Sequence, residues 1–212
     1  MVFKDRVDAG KKLAERLEKY KGPDTIVFGI PRGGVVLAYE VAVALNAPLD
    51  VIIPRKIGAP GQPELAIGAI GNDITVLEES TIRYLGVSQE YIQREIERQK
   101  QEIARRWKLY RDDKPFPDIK GKTVLLVDDG VATGNTTLAA IRALREREPG
   151  KLVLAVPVGP PETIERIRPE VDDLVVLETP EMFMAVGYWY EQFEQTSDEE
   201  VIALLHRADN RS

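Results

Sequence analysis

Thr123-Val124-Leu125-Leu126-Val127-Asp128-Asp129-Gly130-Val131-Ala132-Thr133-Gly134-Asn135-Thr136-Thr137-Leu138 decides how this chain folds. Residues 124–127 are an uninterrupted apolar run, which reads as a parallel strand buried on both faces. Two carboxylates follow at once, and then a loop of small and hydroxyl residues. Leu138, Ile141, Leu144 and Arg145 next fall at helical spacing. In an open α/β sheet, ligands bind beyond the carboxyl ends of the strands. A helix start there offers unpaired N–H groups and the positive end of its dipole, which suits a phosphate. Thr133, Asn135, Thr136 and Thr137 add side-chain donors, and Gly134 lets the backbone come close. The acidic pair cannot serve that phosphate. It suits sugar hydroxyls or a hard divalent cation. No Gly-Lys-Ser/Thr follows, so the loop lacks the lysine of a nucleoside-triphosphatase.

A second unit of the same kind lies upstream. Residues 25–30 read as a buried strand, Pro31-Arg32-Gly33-Gly34 as a tight loop, and residues 35–45 as a helix. Paired glycines leave N–H groups facing a ligand, and Arg32 adds a fork suited to phosphate oxygens. Residues 49–54 form a further strand with Arg55 and Lys56 at its carboxyl end. Residues 57–64, rich in Gly and Pro, read as a mobile loop. Residues 65–70 and 74–77 then read as a hairpin around Gly71-Asn72-Asp73. An amphipathic helix over residues 3–20 precedes all of this.

Ser88 N-caps a long, charge-covered helix that ends near Arg111 and carries a thin apolar stripe, an insertion that leans on the domain or on another subunit. Beyond the central motif, residues 152–158 and 174–177 read as strands, with a short helix at 162–168. Asp172-Asp173 precedes its strand, so it stands at the wrong end of the sheet for a ligand and reads as a solvated turn. Residues 178–194 are rich in aromatic side chains, and Ser197 caps a last helix that ends near His206. Alternating strands and helices imply a parallel sheet covered on both faces.

Composition narrows the chemistry. With 212 residues and a 43% hydrophobic share, the chain suits one ordinary α/β domain. A net charge of -6 gives no broad attraction to nucleic acid. The absence of cysteine removes disulfides, thiol nucleophiles and Cys-based zinc sites. No apolar run is long enough to span a bilayer, and residues 1–6 lack a signal core, so a cytoplasmic protein without membrane contact is expected.

The string from Val127 to Thr136 resembles the phosphoribosyl-diphosphate motif of type I phosphoribosyltransferases, and Pro31-Arg32-Gly33-Gly34 resembles their diphosphate loop, where a strained or cis peptide lies beside the glycines. The likeness covers roughly residues 25–177. Within that family, the chain looks most like a subfamily with Ile-Pro-Arg-Gly-Gly, Arg-Lys-Ile-Gly-Ala-Pro and Asp-Asp-Gly-x-Ala-Thr-Gly strings, whose acceptor is undefined. The resemblance implies an α/β fold, residues 1–212 as one domain, and a five-stranded parallel sheet of order 3-2-1-4-5. The insertion would span residues 88–112, and a small hood residues 1–20 and 178–212.

The resemblance further implies transfer of the phosphoribosyl group from 5-phosphoribosyl 1-diphosphate to a nitrogenous acceptor, a step in nucleotide salvage, with Mg2+ as cofactor. Asp128, Asp129 and Lys56 would be catalytic, the two aspartates holding the ribose hydroxyls and the metal, directly or through water. Ala132, Thr133, Gly134, Asn135, Thr136 and Thr137 would take the 5-phosphate. Arg32, Gly33, Gly34, Arg55 and Lys56 would take the diphosphate. Phe183 and Tyr188 are candidates for the acceptor pocket, whose rings could stack a base. Ala132 stands where relatives that salvage hypoxanthine or guanine usually carry aspartate, so adenine-type and uracil-type acceptors stay open. Gly130 replaces the usual aliphatic residue. The long helix and the aromatic tail suggest a homodimer. The rival reading is a non-catalytic phosphoribosyl-diphosphate sensor, and the chain shows neither a helix-turn-helix signature nor a basic face for DNA.

Overall fold

The structure is a computed structural model that describes residues 2–211. Its centre is a parallel sheet of five strands: β1 (Thr25–Gly29), β2 (Leu49–Val51), β6 (Thr123–Val127), β7 (Lys151–Val158) and β8 (Asp173–Glu178). Between β2 and β6 the chain builds a separate antiparallel sheet from β3 (Pro54–Ala59), β4 (Gln62–Gly71) and β5 (Ile74–Leu77). The helices are α1 (Arg6–Leu17), α2 (Gly33–Leu45), α3 (Glu79–Leu85), α4 (Gln89–Arg111), α5 (Asn135–Arg145), α6 (Pro161–Ile167) and α7 (Asp198–Asp209). The α/β class and the covered parallel sheet are as the sequence pattern implies.

The order across the five-stranded sheet is β2-β1-β6-β7-β8. Numbered along the chain, its strands run 2-1-3-4-5, not 3-2-1-4-5. The reason lies at the β2 edge. After Val51 the chain leaves for the antiparallel sheet, and the outer side of β2 is taken by helix ends instead of another strand. Asp50 of β2 is buried there against Arg111 of α4, 3.2 Å away, and Arg111 also reaches Asp209 of α7 at 3.0 Å.

Successive strand residues point to opposite faces, and both faces are apolar. Val27, Leu125 and Val153 pack with Leu13 of α1, Leu37 of α2 and Leu205 of α7. Phe28, Leu126 and Leu154 pack with Ile141 of α5 and Ile164 of α6. Every residue of β1 is buried, which fixes the carboxyl end of that strand beside the end of β6, with Gly29 in register with Val127.

Residues 57–64, expected as a mobile loop, form a hairpin. Ala59 pairs with Gln62 across Pro60-Gly61, with Gly61 at φ 71°. Pro followed by a positive-φ Gly is the signature of a type II turn, so the Gly and Pro content reports turn chemistry and not looseness. Helix α4 holds this hairpin from outside: Tyr91 donates to the Gly58 carbonyl at 2.8 Å, and Arg55 donates to Gln99 at 3.0 Å. At its other end, Tyr110 donates to Asp198 of α7 at 2.5 Å. The insertion therefore leans on its own chain at both ends.

Residues 3–4 run beside residues 189–192, closed by Phe3 N–H to the Trp189 carbonyl at 2.8 Å and Glu191 N–H to the Phe3 carbonyl at 2.8 Å. This cover stands over the carboxyl ends of β1 and β6.

Candidate active site

The chain passes from β1 outward to β2 and then crosses back to β6 on the other side of β1. The crevice between the ends of β1 and β6 is thus the point where the winding reverses, the place where such sheets bind ligands. A cleft of about 420 Å³ lies there. Its floor is the acidic pair Asp128 and Asp129 with Gly130. One side is the loop Ala132, Thr133 and Gly134 and the first turn of α5, Asn135, Thr136 and Thr137. Another is Pro31, Arg32 and Gly33, and the peptide between Pro31 and Arg32 is cis.

The loop is braced from behind. Thr163 of α6 donates to the Ala132 carbonyl at 2.8 Å, and Arg166 donates to the Thr133 carbonyl. These bonds use carbonyls on the far side and leave the N–H groups at the start of α5 for a ligand.

Gly33 and Gly130 each permit a close approach that a side chain would block. A Cβ on Gly33 would lie 2.0 Å from Asp129 Oδ2 and 2.7 Å from Arg6 Nε. A Cβ on Gly130 would lie 2.6 Å from Val186 Cγ1, so the glycine that departs from the family pattern makes room for the hood. Gly34 sits behind the cleft wall, hard against Asp128.

The charges do not balance. Asp128 is held well above the usual carboxylate range, chiefly by burial and then by the neighbouring charge of Asp129. Burial raises Asp129 as well, opposed by Arg6, whose Nε donates to Oδ2 at 2.8 Å. Tyr190, its phenol also pushed up by burial, donates to the Asp129 carbonyl at 2.6 Å. Two adjacent carboxylates thus share one direct cation, and such a pair favours added positive charge.

Residues 4–192 match the phosphoribosyl transferase domain family. The chain belongs to that family. It is 44% identical over 208 residues to a Mycobacterium tuberculosis protein whose name assigns it provisionally to the phosphoribosyl transferases, a match that covers 98% of this chain and 47% of that protein. The chain therefore spans about half the length of the curated relatives it matches. The crystal structure of TT1426 from Thermus thermophilus is 43% identical and superposes with a TM-score of 0.90, covering 98% of this chain and 99% of that one. A purine phosphoribosyltransferase from Pyrococcus horikoshii shares the fold, at 21% identity and a TM-score of 0.50 over 90% of this chain and 91% of that one.

Not every residue expected at a phosphoribosyl site meets in this cleft. Arg55 and Lys56 lie in an adjoining hollow of about 460 Å³, which shares Thr133, Asn135 and Thr136 as a common wall. Lys56 is paired there with Glu64 at 2.7 Å. Phe183 and Tyr188 line neither space: Phe183 packs against the core, and Tyr188 is 70% exposed. The hood contributes Val186, Gln195 and Thr196 instead, and α1 contributes Arg6. None of these four carries a motif, and Arg6 is 123 residues from its partner in the sequence.

Among the described residues no group of three or more His, Cys, Asp or Glu is arranged to hold a metal. Two carboxylates are nonetheless a fitting partial shell for Mg2+, which keeps water and takes its other ligands from substrate phosphates. No helix among the described residues is long and apolar enough to cross a membrane.

Proposed function

We propose that this chain is a magnesium-dependent phosphoribosyltransferase, which transfers the 5-phosphoribosyl group from 5-phosphoribosyl 1-diphosphate to a ring nitrogen of a nucleobase. The carrying observation is that one cleft joins a helix-start phosphate loop, an under-neutralised acidic pair and an Arg-Gly turn. A sugar with a phosphate at one end and a diphosphate at the other needs all three.

In this reading the N–H groups and hydroxyls of residues 133–137 take the 5-phosphate and so fix the anomeric carbon over the acidic pair. Asp128 and Asp129 hold the 2- and 3-hydroxyls, and their charge stabilises the cationic ring that develops as the bond to diphosphate lengthens. The acceptor nitrogen supplies an electron pair to the anomeric carbon, the carbon–oxygen bond breaks, and its pair departs with the diphosphate. Where the attacking nitrogen carries a proton, that proton is lost to water. Arg32 and the backbone of Gly33 receive the diphosphate, with Arg55 and Lys56 adding charge from the adjoining hollow. Bound Mg2+ would neutralise the leaving group; Asp128 and Asp129 would hold it directly or through water.

Calorimetric titration of phosphoribosyl diphosphate with magnesium tests this directly. Wild type should bind, and Asp128→Asn/Asp129→Asn should not. Diphosphate release with a panel of nucleobases then separates an enzyme from a sensor. Wild-type protein that binds neither phosphoribosyl diphosphate nor ribose 5-phosphate would falsify the assignment.

A further inference from the structure

Arg6 is a cation in the cleft that belongs to neither of the two loops assigned to phosphate. Its guanidinium is held in three ways. Nε donates to Asp129 at 2.8 Å, Nη1 donates to the Glu194 carbonyl at 2.7 Å, and the group lies 3.9 Å from the centre of the Phe193 ring. The side chain is only 12% exposed. Its remaining nitrogen, Nη2, has no hydrogen-bond partner among the described residues. A guanidinium fixed by stacking and two bonds, on a residue that lines the cleft and with one nitrogen left without a partner, is a preorganised donor to an oxygen atom.

The wall that carries Arg6 is also the wall the phosphoribosyl group leaves free. With the loop at residues 133–137 and the Arg32-Gly33 turn committed to phosphates and the acidic pair to the sugar, the polar side chains left in the lining are Arg6, Gln195 and Thr196, beside the apolar Ile30, Pro31, Val131 and Val186. No aromatic side chain among the described residues lines the cleft. Phe193 is already stacked on Tyr190 at 4.8 Å and covered by Arg6, and the Tyr190 hydroxyl is spent on Asp129. An acceptor here is recognised along its polar edge and not by stacking its face.

We infer that Arg6 sets the choice of acceptor, selecting a nitrogen heterocycle with an oxygen edge, carbonyl or carboxylate, over one that presents only amino groups and ring nitrogens. The inference rests on the phosphoribosyltransferase reading and sharpens it. Arg6 keeps its bond to Asp129 while Nη2 meets the acceptor, so one side chain registers the acceptor against the carboxylate that faces the sugar.

The test is steady-state diphosphate release by the full chain with uracil, orotate, nicotinate and adenine, on wild type, Arg6→Gln and Arg6→Lys, with phosphoribosyl diphosphate–magnesium titrated calorimetrically onto each. Wild type should use at least one oxygen-edged base and discriminate against adenine. Loss of a charge-assisted hydrogen bond should raise the acceptor KM of R6Q by about ten- to hundredfold, with R6K in between. The change in acceptor KM should exceed any change in the affinity for phosphoribosyl diphosphate, and circular dichroism shows that the variants fold. Uracil points to a carbonyl edge, and orotate or nicotinate to a carboxylate. Preference for adenine, no turnover of any oxygen-edged base, or an R6Q defect confined to phosphoribosyl diphosphate each overturns the role of Arg6, and all three leave diphosphate-sugar binding itself standing. Failure of wild type to bind phosphoribosyl diphosphate removes the underlying reading, and the inference with it.

Discussion

Asp128-Asp129 follows β6 and Asp172-Asp173 opens β8, so the same dipeptide stands at the two ends of one parallel sheet. Asp172 is somewhat buried, yet Arg145 at 2.8 Å and the Leu152 N–H at 2.7 Å hold its carboxyl below the ordinary value. Asp173 is held down to about 2, first by Lys19 at 2.8 Å and then by the Tyr20 hydroxyl. Asp128 and Asp129 go the other way, because burial strips their water and, among the described residues, Arg6 alone makes an ion pair with them. One pair is a finished staple. The other is buried and short of counter-charge, the setting in which the proposed ligand would bind. Sequence spacing is the same in both; the supply of partners differs.

The sharpest break of this contrast is in turnover. Asp128→Asn/Asp129→Asn should lower diphosphate release by about 10²–10³-fold or more. Asp172→Asn/Asp173→Asn should leave it within about threefold, and a comparable loss there would abolish the distinction. Gly33→Ala comes next. Its methyl would enter the space of Asp129 Oδ2 and Arg6 Nε, so kcat/KM should fall about ten- to hundredfold through misplacement alone. Circular dichroism of that variant should be unchanged.

A smaller effect has opposite signs at the two ends. Asp128→Asn removes repulsion and a costly buried charge while its amide oxygen can still accept the Asp129 N–H, so the ligand-free protein should gain about 1 kcal/mol. Asp172→Ala leaves the Leu152 N–H without its partner and should lose about 1 kcal/mol. Each corresponds to about 2–4 °C in Tm, read by calorimetry. The smallest effect is in pH. Asp173 is depressed in the folded state, so its stabilisation is full above the ordinary carboxylate pKa and is lost as pH falls toward about 2. The stability gap between wild type and Asp173→Asn should therefore close between about pH 4 and pH 2. A gap that persists at pH 2 would mean that packing, not charge, holds that staple.

Much of this was legible from local pattern. Residues 26–29, 124–127 and 152–158 are continuous apolar runs bounded by turn residues, which read as buried parallel strands. The phosphate loop was legible because one string encodes strand end, acidic pair and helix start together. The edge of the sheet was not, since nothing in residues 49–54 says whether a strand or a helix end will cover Asp50. The hairpin at 54–71 was hidden by its own turn residues. The hood side of the cleft was the least legible part. Aromatic content drew attention to Phe183 and Tyr188, whereas the hood and α1 bring Arg6, Val186, Gln195 and Thr196 to the cleft, whose meeting depends on tertiary contacts across most of the chain.

The pairing of residues 3–4 with residues 189–192 gives the molecule a particular order of assembly. As the chain leaves the ribosome, the sheet and its phosphate loop are complete once β8 has emerged. Helix α1 is made before any strand, yet the seat of Arg6 on Phe193 and Glu194 exists only after a further stretch has been synthesised. Contacts of such high sequence separation close late. The contacts that seat Arg6 on Phe193 and Glu194 therefore close after the parallel sheet has been made.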